Sequence, residues 1–141
     1  MITEDYCSYE VAKLLKGKGF DDECRTVYKS NGCIHDNVRY EGKWLTNSLL
    51  FSSEYSAPTH QMAMKWLRQA HGIHIFSELG VREDKPEKYV NFWRPVIQGL
   101  YNTKHFRDIN EKAKQHFAWK FYDNFEKSVD DALMFTLENL V

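Results

Sequence analysis

The chain has no apolar run approaching the ~20 residues that a membrane-crossing helix needs. Its first residues, Met1-Ile2-Thr3-Glu4-Asp5, are acidic where a signal peptide would be basic and then apolar. Both absences point to a soluble, cytoplasmic protein that does not engage a membrane. Cysteine is sparse: Cys7, Cys24 and Cys33 are an odd number with no CxxC pair, which reads as reduced thiols rather than a disulfide framework. Glycine is sparse too, 7 in all, and neither G-x-x-x-x-G-K-[ST] nor G-x-G-x-x-G occurs, which argues against a phosphate-cradling loop. There is no G-x-S-x-G elbow and no cysteine in a recognisable nucleophile setting. Net charge is nearly absent, at −1, so the chain lacks the overall basicity of a dedicated nucleic-acid binder. It also lacks repeats, low-complexity tracts and linkers, and residues 1–141 read as a single domain.

What is present is aromatic and apolar. Hydrophobic residues make up 43% and aromatics 15%, enough to build a core without disulfides or metals and to exclude disorder. The pattern predicts a helix over 9–16, capped by Ser8 and stopped by Gly17 and Gly19. A strand follows over 25–30, then an Asn31-Gly32 two-residue turn and a return strand over 33–35. Segments 38–40 and 43–50 add one or two strands around Gly42. A second helix over 58–71 carries Pro58 in its first turn and ends at Gly72. A short strand over 73–76 leads to a charged loop over 81–87 that contains Pro86. Residues 89–97 form a strand that Pro95 marks as an edge or a bulge, and 99–107 are a loop or hairpin. Aromatic alternation at Phe117, Trp119 and Phe121 predicts a strand over 117–122, although Lys112 and Ala113 could equally start a helix running into it. The last helix spans 129–140, with Ser128 and Asp131 as a capping box. The fold class that results is α+β, a mainly antiparallel sheet packed by about three helices.

Three segments carry a resemblance: Tyr9-Glu10-Val11-Ala12-Lys13-Leu14-Leu15-Lys16, the helix from Ser56-Ala57-Pro58 to Lys65-Trp66-Leu67-Arg68, and the terminal helix from Asp131-Ala132-Leu133 to Leu140. In these the chain resembles a family of small uncharacterised proteins from Bacteroidales genomes and their phages and prophages. The resemblance spans most of the chain, outside roughly 81–115. It implies a cytoplasmic accessory protein of phage type and transfers no functional residue.

Candidate constellations are few. His60 and His71 share a helix face but sit roughly 16 Å apart along the axis, too far to share an ion. His71 and His74 could converge across Gly72, but lack a third ligand. Cys24, Cys33 and His35 match no zinc spacing, so no metal or cofactor is expected. Asp21-Asp22 and Asp130-Asp131 are adjacent pairs that read as a solvated turn and a helix start, not as a catalytic pair. The early helix followed by Gly-Lys-Gly-Phe is like half of a helix-turn-helix, but the acidic Asp21-Asp22-Glu23 occupies the place of the recognition helix.

Charge is unevenly distributed. Residues 88–121 hold 7 basic and 2 acidic side chains, whereas residues 122–141 hold 1 and 5. Arg94, Lys104, Arg107, Lys112 and Lys114 are therefore candidate contacts to a nucleic-acid backbone, interleaved with Tyr89, Trp93, Tyr101, Phe106 and Trp119, which could stack on bases. Against this, the same aromatics can face the core. The leading expectation is a non-enzymatic accessory protein acting on a protein partner or by self-association. Nucleic-acid binding by 88–121 comes second, and an enzyme of unrecognised type third.

Overall fold

The computed structural model describes residues 4–102 and 105–141. In chain order the elements are α1 (Tyr9–Gly17), β1 (Thr26–Tyr28), β2 (Ile34–Asp36), β3 (Arg39–Tyr40), β4 (Lys43–Trp44), β5 (Tyr55–Ser56), α2 (His60–His71), β6 (Ile73–Lys85), β7 (Lys88–Gly99), α3 (Phe106–Phe117) and α4 (Phe125–Asn139). All strand pairing is antiparallel, so the α+β class holds. The strands do not merge into one sheet. They form a three-stranded sheet in the order β2-β1-β5, a β3-β4 hairpin and a long β6-β7 ribbon.

Ser8 caps α1 as expected: its Oγ accepts the Val11 N–H at 3.3 Å, and Val11, Ala12 and Leu15 are buried. The cap of α2 is Thr59, whose Oγ1 accepts the Met62 N–H at 3.2 Å. Pro58 therefore lies just before the helix rather than in its first turn. Gly72 closes α2 in the left-handed region, φ +65°. Only Gly32 of the Asn31-Gly32 pair has positive φ, +79°. The Gly32 N–H bonds Lys29 O, and the Lys29 N–H bonds Cys33 O, so the loop has three residues rather than two.

The C-terminal half departs most from expectation. The strand predicted over 117–122 does not form. Ile109, Ala113 and Phe117 recur every fourth residue and bury one face of α3, and Trp119 beyond it is 87% exposed. Helical burial outweighs the aromatic alternation, and only Tyr122 of that segment bridges to a strand. The predicted cap at Ser128 is also corrected: Asn124 caps α4 by accepting the Lys127 N–H at 2.8 Å. Ser128 lies inside the helix, buried and hydrogen-bonded to Ser77 at 2.6 Å. The predicted loop over 81–87 is instead the far end of the β6-β7 ribbon, turned at Pro86-Glu87 with Glu87 at φ +62°.

α4 is the centre of the core. Val129, Ala132, Leu133 and Leu137 meet Val11 and Leu15 of α1, Leu67 of α2, and Ile75 and Ile97 of the ribbon. No helix among the described residues is long and apolar enough to cross a membrane.

Candidate interaction surface

The first-suspected residues do not assemble into one face. Arg94 faces Glu78 across the ribbon, and its Nε and Nη2 donate to Glu78 Oε1 at 3.0 and 2.7 Å. Lys114 of α3 shares a cleft of about 420 Å³ with this pair, between α3 and the outer edge of β7. Arg107 lies two turns before Lys114 on the same helix face, its guanidinium over the Phe106 ring at 5.7 Å. Lys112 falls on another flank of α3 and pairs with Asp108 at 3.1 Å. Lys104 lies outside the described residues. Successive strand residues point to opposite faces, so Trp93 turns away from Arg94. Its ring packs edge-to-face on Phe125 at 5.0 Å.

His60, His71 and His116 are engaged within the fold. His60 is buried, with Nε2 3.3 Å from Asp130 Oδ1, which also accepts the Ser8 N–H at 2.9 Å. Burial alone would raise the Asp130 carboxyl, but the hydrogen bonds from His60 and Ser8 outweigh it and hold the group below the usual carboxylate range. This link between α1, α2 and α4 was not legible from sequence, because 70 residues separate the partners. His71 packs on Trp66, and His116 stacks on Phe135 at 4.2 Å. Burial and then Lys120 push the His116 imidazole below its usual value.

Among the described residues no three His, Cys, Asp or Glu side chains are grouped as a metal would require. Cys24 and Cys33 are separated by burial, the first inside and the second exposed. Burial raises the Cys7 thiol well above its ordinary value and Cys24 to about 12, so both stay protonated at neutral pH. A groove of about 210 Å³ beside α4 holds His116, Lys120, Tyr122 and Asp131. There Lys120 Nζ sits 3.1 Å from His116 Nε2, and Tyr122 donates to Asp131 at 2.9 Å, so these groups bind one another.

The β6-β7 ribbon is one of the surfaces with unspent apolar area; Val38, Tyr40, Leu49 and Phe51 expose another. Its near half is core: Ile73, Ile75 and Ile97 are buried. Its far half projects beyond α4 as an arm, where Leu79 is 57%, Val81 62% and Tyr89 67% exposed. Leu79 and Trp93 are cross-strand partners, as are Val81 and Asn91. The opposite face of the arm is partly roofed, with Phe92 packing edge-to-face on Phe121 at 4.8 Å and Arg82 over Phe121 at 5.2 Å.

The arm's two edges differ. Trp93 exchanges both main-chain hydrogen bonds with Tyr122, at 2.6 and 2.9 Å, and the Gly99 N–H donates to Asn110 Oδ1 at 2.7 Å. Pro95, between them, has no N–H to offer. The outer edge of β7 is thereby interrupted at 93, 95 and 99, and Pro95 sits on an edge strand. No protein-family model, curated protein or solved structure matches this chain.

Proposed function

We propose that this chain is a non-enzymatic accessory protein that works by binding another protein, and that the β6-β7 arm is the surface it uses. The carrying observation is the exposure of Leu79, Val81 and Tyr89 on a ribbon that extends past its own core. A two-stranded ribbon is marginally stable alone, and clustered exposed apolar residues mark interaction sites more often than accident.

The nucleic-acid reading has less behind it. Arg94 and Lys112 already hold Glu78 and Asp108, and Trp93 faces away from the cleft that Arg94 and Lys114 share. It requires oligonucleotide binding that weakens steeply with salt and disappears in Arg107→Glu/Lys114→Glu.

The test compares wild type with Leu79→Asp/Val81→Asp as bait in lysate of the source organism, followed by reconstitution with each purified candidate. A partner bound by wild type and lost by the double variant, at unchanged circular dichroism and Tm, supports the reading. No arm-dependent partner, together with no self-association, contradicts it.

A further inference from the structure

We infer that the arm's occupant is a second copy of this chain, joined through the open edge of β6 in antiparallel register about a two-fold axis at Gly80. The inference rests on the reading of the arm as an interaction surface and names what it binds.

The alternation of the ladder shows which groups are open. Trp93 bonds outward to Tyr122, whereas the Leu100 N–H bonds inward to Gly72 O at 2.7 Å, so odd-numbered residues of β7 face away from β6. Their cross-strand partners Ser77, Leu79 and Val81 must then direct N–H and C=O away from β7. No described residue hydrogen-bonds these groups. Unlike the edge of β7, this one carries no proline, bridge or side-chain cap. An exposed apolar strand edge in that state is a template for another strand.

Charge selects the partner and the register. With Gly80 opposite Gly80, Leu79 lies opposite the partner's Val81, and Glu78 opposite the partner's Arg82. Symmetry doubles both contacts. The existing Arg94–Glu78 pair is extended to the partner's Arg82, giving alternating charges on one face. On the other face Leu79 lies beside the partner's Val81, so each side chain gains an apolar neighbour on one flank. Gly80 at the axis adds no side chain of its own, the Phe92 ring lying over it. Other registers are poorer. An axis at 78 or 82 sets like charge on like, one at 81 sets Glu78 against the partner's Asp84, and one at 79 matches no charges. The product is a four-stranded sheet whose outer edges are each interrupted by Pro95 and the Trp93–Tyr122 bridge, which disfavours further strand addition.

Sedimentation of the full chain over a concentration series tests this together with three variants in a Cys33→Ser background. A reversible dimer is expected for wild type. Val81→Pro should give a monomer, because its nitrogen faces away from β7 and the intrachain ladder is untouched. Arg82→Glu should raise the dimer dissociation constant roughly tenfold. Under oxidation a mixture of Leu79→Cys and Val81→Cys chains should cross-link more than either alone, a readout that stands even if Val81→Pro fails to fold. A wild-type monomer at sub-millimolar concentration, open-ended assemblies, or cross-linking no greater in the mixture would overturn the inference. A monomer that still captures a different protein through the arm overturns the dimer alone. A monomer with no arm-dependent partner overturns the interaction reading as well.

Discussion

At the residue scale, the His60–Asp130–Ser8 link is one contributor to how the protein responds to acid, beside Asp21 and Glu54, whose carboxyls are also held low. Asp130 has a lowered pKa in the folded chain. Its contribution to stability is therefore complete above the unfolded value of about 3.9 and is lost as pH falls through the lower folded value. Asp130→Ala leaves His60 buried without its carboxylate and is expected to cost about 2–3 kcal/mol near neutral pH, read as a shift in urea midpoint. The same variant should lose less stability than wild type on acidification below about pH 4. Gly80 makes a second residue-scale case. A Cβ there would lie 2.4 Å from the Phe92 ring. Gly80→Ala is expected to destabilise the arm by about 1–3 kcal/mol, since Phe92 is held in turn by Phe121.

At the element scale, Phe117 and Trp119 separate the observed helix from the predicted strand. A strand would place both on one face with similar burial. In the structure Phe117 is 3% exposed and Trp119 is 87% exposed. Phe117→Ala is expected to cost about 3–5 kcal/mol in thermal or urea unfolding, and Trp119→Ala within about 0.5 kcal/mol of nothing. Comparable losses for the two would contradict the helix.

The same contrast shows what was legible in the chain. α1, α2 and the body of α4 could be read because each buries one stripe at helical spacing, with Ser8 and Gly72 as added signals for α1 and α2; the Ser128 signal misplaced the start of α4. α3 was obscured by aromatic alternation at its end, where Phe117 belongs to the core and Trp119 to solvent. The arm was obscured for another reason: Val81-Arg82-Glu83-Asp84-Lys85 is exposed on both faces and shows no period-two burial. Its pairing is dictated by the far strand and by the Pro86-Glu87 turn. Of the candidate cations, the basic segment itself was visible, but the pairing of Arg94 with Glu78 depends on ribbon register, which local pattern does not contain.

At the scale of the whole molecule, one core holds the helices and the near half of the ribbon, and the far half carries apolar area outside it. Stability and binding should therefore separate. Leu79→Asp/Val81→Asp is expected to leave Tm within a few degrees of wild type while abolishing association, because neither side chain is buried in the isolated chain. The central claim is that β6 presents an open edge which association closes, and residue-resolved amide exchange tests it most directly. In dilute protein the outward amides of Ser77, Leu79 and Val81 should exchange fast, while Gly80 and Arg82, bonded to β7, exchange slowly. On association the three fast amides should become protected. Protection of Ser77, Leu79 and Val81 already in the dilute monomer, or exchange there unchanged by association, would contradict the account.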